Sequence, residues 1–163
     1  MTVTKSNMNI GVGQIQINAV DIGGSAKGIT IKREVTYFDF SCDQAKGTLK
    51  KVATYVKMTV AFSILEMALA NLRAVWFLPS ALLVSSSITM TDGQDADAPI
   101  IITTPGIEGT TLTWNFPTCT GLATGAFAAS RTAAHEVGAE FEVIPAVGSG
   151  ANPTLTFGTV RQA

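Results

Sequence analysis

Residues 51–62 read KVATYVKMTVAF, a stretch in which apolar and polar side chains alternate. Alternation with a period of two is typical of a β-strand that buries one face. The apolar face is predicted to hold Val52, Val56, Met58, Val60 and Phe62, and the polar face Lys51, Tyr55, Lys57 and Thr59. Similar short segments recur along the chain between Gly, Pro, Asn and Asp, so we expect a mainly β protein with antiparallel strands.

Further segments of the chain also have the sequence patterns of β-strands. Near the N-terminus, Ile15 and Ile17 alternate with polar residues, and a turn predicted at residues 21–24 leads to a second strand with Ile29 and Ile31, which makes a candidate hairpin. Residues rich in β-branched and aromatic side chains follow at 35–40. The later predicted strands are 87–91, 100–103, 111–116, 136–144 and 155–157.

One segment departs from this period. From Leu65 the apolar residues recur every three or four positions, which predicts a helix over residues 64–77. Ser63 and Glu66 have the spacing of a capping box, in which each side chain bonds a free backbone N–H at the helix start. The sequence therefore predicts an antiparallel β-sandwich or barrel with one packed α-helix, as a single domain over residues 1–163.

Composition narrows the possible functions. Of the 163 residues, 47% are apolar, only 14% are charged, and the formal net charge is −1, so we expect partners to cover part of the apolar surface. Glu66, Asn71, Arg73 and Pro79 interrupt the most apolar stretch, residues 62–84, so no membrane span is expected. The chain has no clustered basic run of the kind that grips phosphates, which disfavours tight nucleic-acid binding.

No pattern of catalytic or metal-binding residues stands out. Cys42, Cys119 and His135 are far apart in the sequence and lack the paired spacing of a zinc site. The acidic residues between 92 and 97 are not followed by the distal Glu that completes a calcium loop. We therefore expect neither an enzyme nor a cofactor.

A polar segment at residues 41–50 separates two predicted strands. It is longer than a tight hairpin requires, so it is predicted to project from the sheet. Its candidate contact residues are Cys42, Asp43, Gln44, Lys46 and Lys50.

Several short motifs follow one another in a characteristic order. They are GQIQIN at 13–18, VDIGG at 20–24, the segment 35–43, LEMALANL at 65–72, and TWNFP at 113–117 with FEVIPA at 141–146. In this order of parts the chain resembles the tail tube (major tail) proteins of long-tailed bacteriophages and phage-like particles. The segment 120–134 is richer in alanine than that family's pattern, and its structure is left unassigned.

The resemblance implies a structural virion protein whose copies form hexameric rings that stack into a tube for ejection of double-stranded DNA. Its partners would be further copies of itself and the tape-measure, tail terminator and tail tip proteins, with DNA in transient, non-specific passage. It would be found in the virion tail and, during assembly, in the host cytoplasm. The loop at 41–50 would reach the neighbouring ring, and Gln14, Gln16 and Asn18 would line the lumen.

Two alternatives remain open at this point. An inner-tube protein of a contractile particle or secretion apparatus would also need an outer surface that binds a sheath. A β-sandwich binding or adhesion module would instead display an exposed aromatic or acidic patch for its ligand.

Overall fold

The computed structural model describes residues 13–40, 50–64, 68–78, 83–88, 97–105, 109–122, 127–128, 136–149 and 154–163. Strands dominate these residues, which confirms the mainly β prediction. In chain order the elements are β1 (Gln14–Ile17), β2 (Val20–Phe40), β3 (Lys50–Ile64), α1 (Leu69–Val75), β4 (Leu83–Val84), β5 (Ser87–Ile88), β6 (Ala98–Pro105), β7 (Thr111–Leu122), β8 (Phe127–Ala128), β9 (Glu136–Val143), β10 (Ala146–Val147), β11 (Leu155–Thr156) and β12 (Thr159–Gln162).

One eight-stranded antiparallel sheet forms the body, in the order β12-β7-β6-β1-β2-β3-β9-β8. The second half of β7 also pairs with β9, with Cys119 opposite Val143 and Gly121 opposite Phe141. Because β7 and β9 lie near opposite ends of the strand order, the sheet must curl until they meet. Two small hairpins, β4 with β5 and β10 with β11, complete the described strands.

The core fills the concave side of the curled sheet. Alternate residues of each strand point into it, as Ile15 and Ile17 do from β1. The Phe141 ring lies with its centroid 5.5 Å from that of Phe62 and 4.9 Å from that of Phe77, so it joins two strands to the segment after α1. Burying a side chain of this kind stabilises the fold by about 1.5–3 kcal/mol.

The helix is shorter than predicted. It spans Leu69–Val75 instead of residues 64–77. Ile64 is the last residue of β3, where it pairs with Val137 and is fully buried. The gain from burying Ile64 in the sheet outweighs the helical spacing of the residues around it.

The predicted capping box was wrong for a related reason. Ser63 belongs to β3 and lies opposite Gly138, so it cannot cap the helix. The N-cap is Ala68, which makes no side-chain capping hydrogen bond, and Glu66 lies outside the described residues. The short helix is stabilised mainly by packing, because Ala74 and Val75 are buried in the core.

The turn between β1 and β2 lies at Asn18 and Ala19, not at residues 21–24. Their φ angles are 49° and 62°, and two successive left-handed residues suit a two-residue hairpin turn. Gly23, with φ of 80°, instead lies within β2, where the β1–β2 register shifts. The glycine pair marks a β-bulge and not the turn.

The last strand, β12, was not predicted. It pairs with β7, and Gly158 interrupts the alternation just before it. A Cβ atom at Gly158 would lie 2.3 Å from the backbone oxygen of Asn115, so only glycine fits where the chain turns towards β7. The predicted strands at 87–91 and 155–157 are each described as two-residue strands, β5 and β11.

Candidate assembly surfaces

Strands β2 and β3 continue together well beyond the body. Their register runs as far as Phe40 opposite Lys50, whereas β9 pairs with β3 only from Thr59 onward, and β1 pairs only with the start of β2. Residues 33–40 and 50–57 thus form a two-stranded extension, here called the ribbon, whose outer edges are paired with no described strand. At about 3.3 Å per residue the ribbon is roughly 26 Å long.

Large apolar side chains are exposed on the ribbon. The exposed fractions are 56% for Tyr37, 54% for Phe38, 54% for Tyr55 and 36% for Val52. Clusters of exposed apolar side chains mark interaction sites, and a two-stranded hairpin alone is at best marginally stable in water. We therefore expect another molecule to cover the ribbon when the protein functions.

A bulge determines which of these side chains share a face. The β2–β3 register shifts within the ribbon and leaves Thr54 as an extra residue, whose hydroxyl donates to the Thr36 carbonyl at 3.2 Å. Beyond the bulge Val52 lies opposite Phe38, on the same outward face as Tyr55. Alternation had predicted Val52 on the core-facing side of β3, and that prediction was wrong because an extra residue reverses the facing of every residue beyond it.

Opposite charges pair along the ribbon and its base. Lys57 Nζ lies 3.2 Å from the Glu142 carboxylate, and Lys51 Nζ lies 3.7 Å from that of Asp39. The hydrogen bond to Glu142, followed by its charge, raises the pKa of Lys57 above its ordinary value. Lys32 and Glu34 form a further pair, in which their mutual hydrogen bond raises the pKa of the amine and lowers that of the carboxyl. Each of these pairs places a carboxylate beside an amine, so the two charges of the pair offset each other locally.

A second surface, here called the polar face, is the outer side of β12, β7, β6 and β1. Two rows of side chains cross these strands, one of Arg161, Thr113, Thr103 and Gln14 and the other of Thr159, Asn115, Ile101 and Gln16. Hydroxyl and amide groups predominate in both rows. The Gln14 amide also donates to the carboxylate of Asp21 in the adjacent strand β2.

The residues predicted to line a lumen are only partly brought together. Gln14 and Gln16 lie on the polar face, opposite Thr103 and Ile101 of β6. Asn18 lies beyond them in the β1–β2 turn, where its backbone N–H donates to the Pro99 carbonyl at 2.9 Å. Its position is fixed by turn geometry and not by the row that Gln14 and Gln16 share.

Most of the predicted loop lies outside the described residues. This holds for Cys42, Asp43, Gln44 and Lys46, so their role stays a prediction. Lys50 is the first residue of β3, at the far end of the ribbon, and is exposed. The apolar residues of the ribbon were not singled out as site residues, although the consecutive pair Tyr37 and Phe38, which must point to opposite faces, signals a strand that is apolar on both sides.

The described residues include few groups that could bind a metal ion or act as a nucleophile. No three His, Cys, Asp or Glu residues among them are close enough to hold a metal ion, and no helix there is long and apolar enough to cross a membrane. Cys119 is buried, and desolvation raises the pKa of its thiol to about 12. A thiol with this pKa stays protonated near neutral pH and is a poor nucleophile.

In comparisons with known proteins, no family model and no curated protein matches this chain.

Proposed function

We propose that this chain is a self-assembling structural subunit, a tail tube protein of a tailed bacteriophage or phage-like particle. The observation that carries the proposal is the ribbon, which exposes Tyr37, Phe38 and Tyr55 and has outer edges that no described strand pairs. A surface that is both apolar and open to strand pairing is a liability for a solitary protein. It suits a protein whose copies cover one another.

The edges of the sheet support a ring. Strand β12 pairs with β7 on one side, no described strand pairs with its other side, and all its residues are exposed. The outward N–H and C=O groups of an edge strand favour pairing with an edge of another copy. When the two edges belong to different parts of the subunit, the contact is heterologous and can close into a ring. Six copies per ring is the number implied by the resemblance.

The polar face suits the bore of such a tube. Each phosphate that a Lys or Arg neutralises adds to the affinity for DNA, so a conduit needs few cations on its wall. Arg161 is the charged member of the two rows on this face, and the remaining side chains of the rows, including Gln14 and Gln16, are uncharged. Asp21 adds one carboxylate beside them, in β2 opposite Gln16. We place the polar face towards the lumen, where DNA passes after a tape-measure protein has left.

A binding or adhesion module is the second candidate, because exposed aromatic residues are also typical of ligand-binding surfaces. Phe38 and Tyr55 on the outward face, or Tyr37 on the opposite face, would then hold a ligand, and the chain would remain a monomer without it. An inner-tube protein of a contractile particle or a secretion apparatus shares the ring-forming features and differs in needing a sheath.

Negative-stain electron microscopy and mass photometry over a concentration series test the proposal. We expect the purified chain to form rings or hollow tubes of uniform width. The double variant Tyr37→Ser, Tyr55→Ser should remain monomeric with an unchanged circular dichroism spectrum. Val84→Ser is the matched control, since Val84 is exposed on the small β4–β5 hairpin, apart from the ribbon.

Two outcomes decide between the candidates. Assembly of the control together with loss of assembly in the ribbon variant supports the subunit. A wild-type chain that stays monomeric over the whole series counts against the subunit and favours the binding module.

A further inference from the structure

An open apolar cleft lies at the base of the ribbon. Its volume is about 560 Å³, and β2, β3, β6 and β7 form its walls on the core-facing side of the sheet. Several lining residues pack against the core on one side and leave the other side open. The apolar lining residues are Ile29, Ile31, Met58, Ile102, Leu112 and Trp114.

We propose that this cleft receives the ribbon of a second copy of the chain, with the outward face that carries Val52 and Tyr55 seated in it. The inference rests on the proposed function, because it names the receptor for the ribbon in the assembly. The two surfaces are of the same chemical kind. The ribbon presents aromatic and aliphatic side chains, and the cleft offers an aliphatic floor with the Trp114 ring as a flat platform.

The polar groups of the cleft fit this occupant. Arg33 lines the cleft, and no described carboxylate forms an ion pair with it. A guanidinium group stacks readily on an aromatic ring, so Arg33 can lie over the incoming Tyr55 ring. The Thr104 hydroxyl already donates to the Leu112 carbonyl at 3.3 Å, so an apolar guest would not leave it without a partner.

The positions of the two surfaces favour a second copy over a different protein. The cleft lies at the base of the ribbon, where Arg33 is opposite Met58, and the apolar face lies nearer its tip, where Phe38 is opposite Val52. A ribbon that docks at the base of the next copy makes a head-to-tail contact, which repeats through an assembly. Because the formal net charge of the chain is only −1, electrostatic repulsion between two copies is weak.

The size of the contact predicts cooperative assembly. One face of the ribbon covers roughly 26 Å by 10 Å, well below the ~800 Å² per partner of a stable interface. A single ribbon–cleft junction is therefore weak, and several junctions made together give the assembly its stability. Isolated dimers should be scarce unless they are trapped covalently.

Disulfide trapping tests the pairing. In a Cys42→Ser background that leaves buried Cys119 in place, one preparation carries Tyr55→Cys and a second, of larger mass through a tag, carries Leu112→Cys. Leu112 lines the cleft without belonging to the core, so this substitution should not unfold the chain. Mild oxidation of the mixture should give a disulfide-linked heterodimer, because the bond forms only when the two Cα atoms approach within about 7 Å.

As the control, a chain that carries Val84→Cys is used in place of the Tyr55→Cys chain or of the Leu112→Cys chain. Neither control mixture should give a heterodimer. Leu112→Arg should abolish assembly while the thermal unfolding midpoint stays close to that of the wild type.

Tyr55→Cys homodimers without heterodimers would show ribbon-to-ribbon pairing and overturn the inference. An assembly that forms normally without the heterodimer would overturn the inference and leave the proposed function standing, as would Leu112→Arg chains that still assemble. A chain that stays monomeric throughout would overturn both.

Discussion

The two halves of β3 look alike in sequence and lie in different surroundings. In residues 59–64 every second side chain is buried, namely Val60, Phe62 and Ile64, whereas residues 50–55 are all exposed. Alternation of apolar and polar residues predicts that a strand has an apolar face, but it does not predict what covers that face. In the first case the cover is the core of the same chain. In the second we propose that it is another copy.

The boundary between the halves follows from strand pairing. Strand β9 lies beside β3 from Thr59 to Ile64 and ends there, so the sheet can curl over the core only along that half. From Lys50 to Met58, β3 pairs with β2 and with no other described strand. Substitutions in the body should therefore affect the free energy of unfolding, and substitutions in the ribbon should affect assembly.

The largest effect is expected from Phe141→Ala in the body. Phe141 is fully buried between Phe62 and Phe77, and a cavity left by a buried aromatic ring costs about 3–5 kcal/mol of unfolding free energy. Urea denaturation of monomeric protein measures this loss. Tyr55→Ala on the ribbon is the matched control and should change stability by less than about 0.5 kcal/mol. Equal losses in the two variants would mean that the ribbon belongs to the folding unit as fully as the body does.

A smaller loss of unfolding free energy is expected from a Val→Thr substitution in the body half of β3, and almost none from the same substitution in the ribbon half. Val60→Thr places a hydroxyl in the core without changing the side-chain shape and should cost about 1–3 kcal/mol. Val52→Thr makes the same change on the exposed ribbon and should alter the unfolding free energy by less than about 0.5 kcal/mol. Urea denaturation measures both variants. A loss at Val52 equal to that at Val60 would contradict the division of the strand.

The fold was predictable where local pattern alone determines it. The alternation around Val60, Trp114 and Phe141 gave the central strands, because these positions face one continuous core. The helix start and the first turn were misplaced because pairing between distant strands decides them. Ile64 remains in β3 because Val137 lies beside it, and Asn18 and Ala19 adopt left-handed conformations that few non-glycine residues favour.

The candidate site was less predictable than the fold. The bulge at Thr54 depends on the register between two strands, so it leaves no mark in the alternation of β3 alone. The exposure of Tyr37 and Tyr55 depends on where β9 ends, which is a property of a different part of the chain. The sequence pattern around an aromatic strand residue is the same whether the core of its own chain or a neighbouring copy covers the side chain.

The smallest effect is expected at the boundary itself, where Lys57 of β3 meets Glu142 of β9. Because this contact raises the pKa of Lys57 above 10.5, the stability that it contributes is fully present below that pH and is lost as the pH rises through the raised pKa. The unfolding midpoint of the wild type should therefore exceed that of Glu142→Gln at neutral pH, and the difference should shrink in strongly alkaline solution. Asp39→Asn, which breaks the more exposed pair with Lys51, is the matched control on the ribbon and should leave the midpoint nearly unchanged. A difference between the wild type and Glu142→Gln that persists at high pH would show that Glu142 stabilises the body by packing and not through its contact with Lys57.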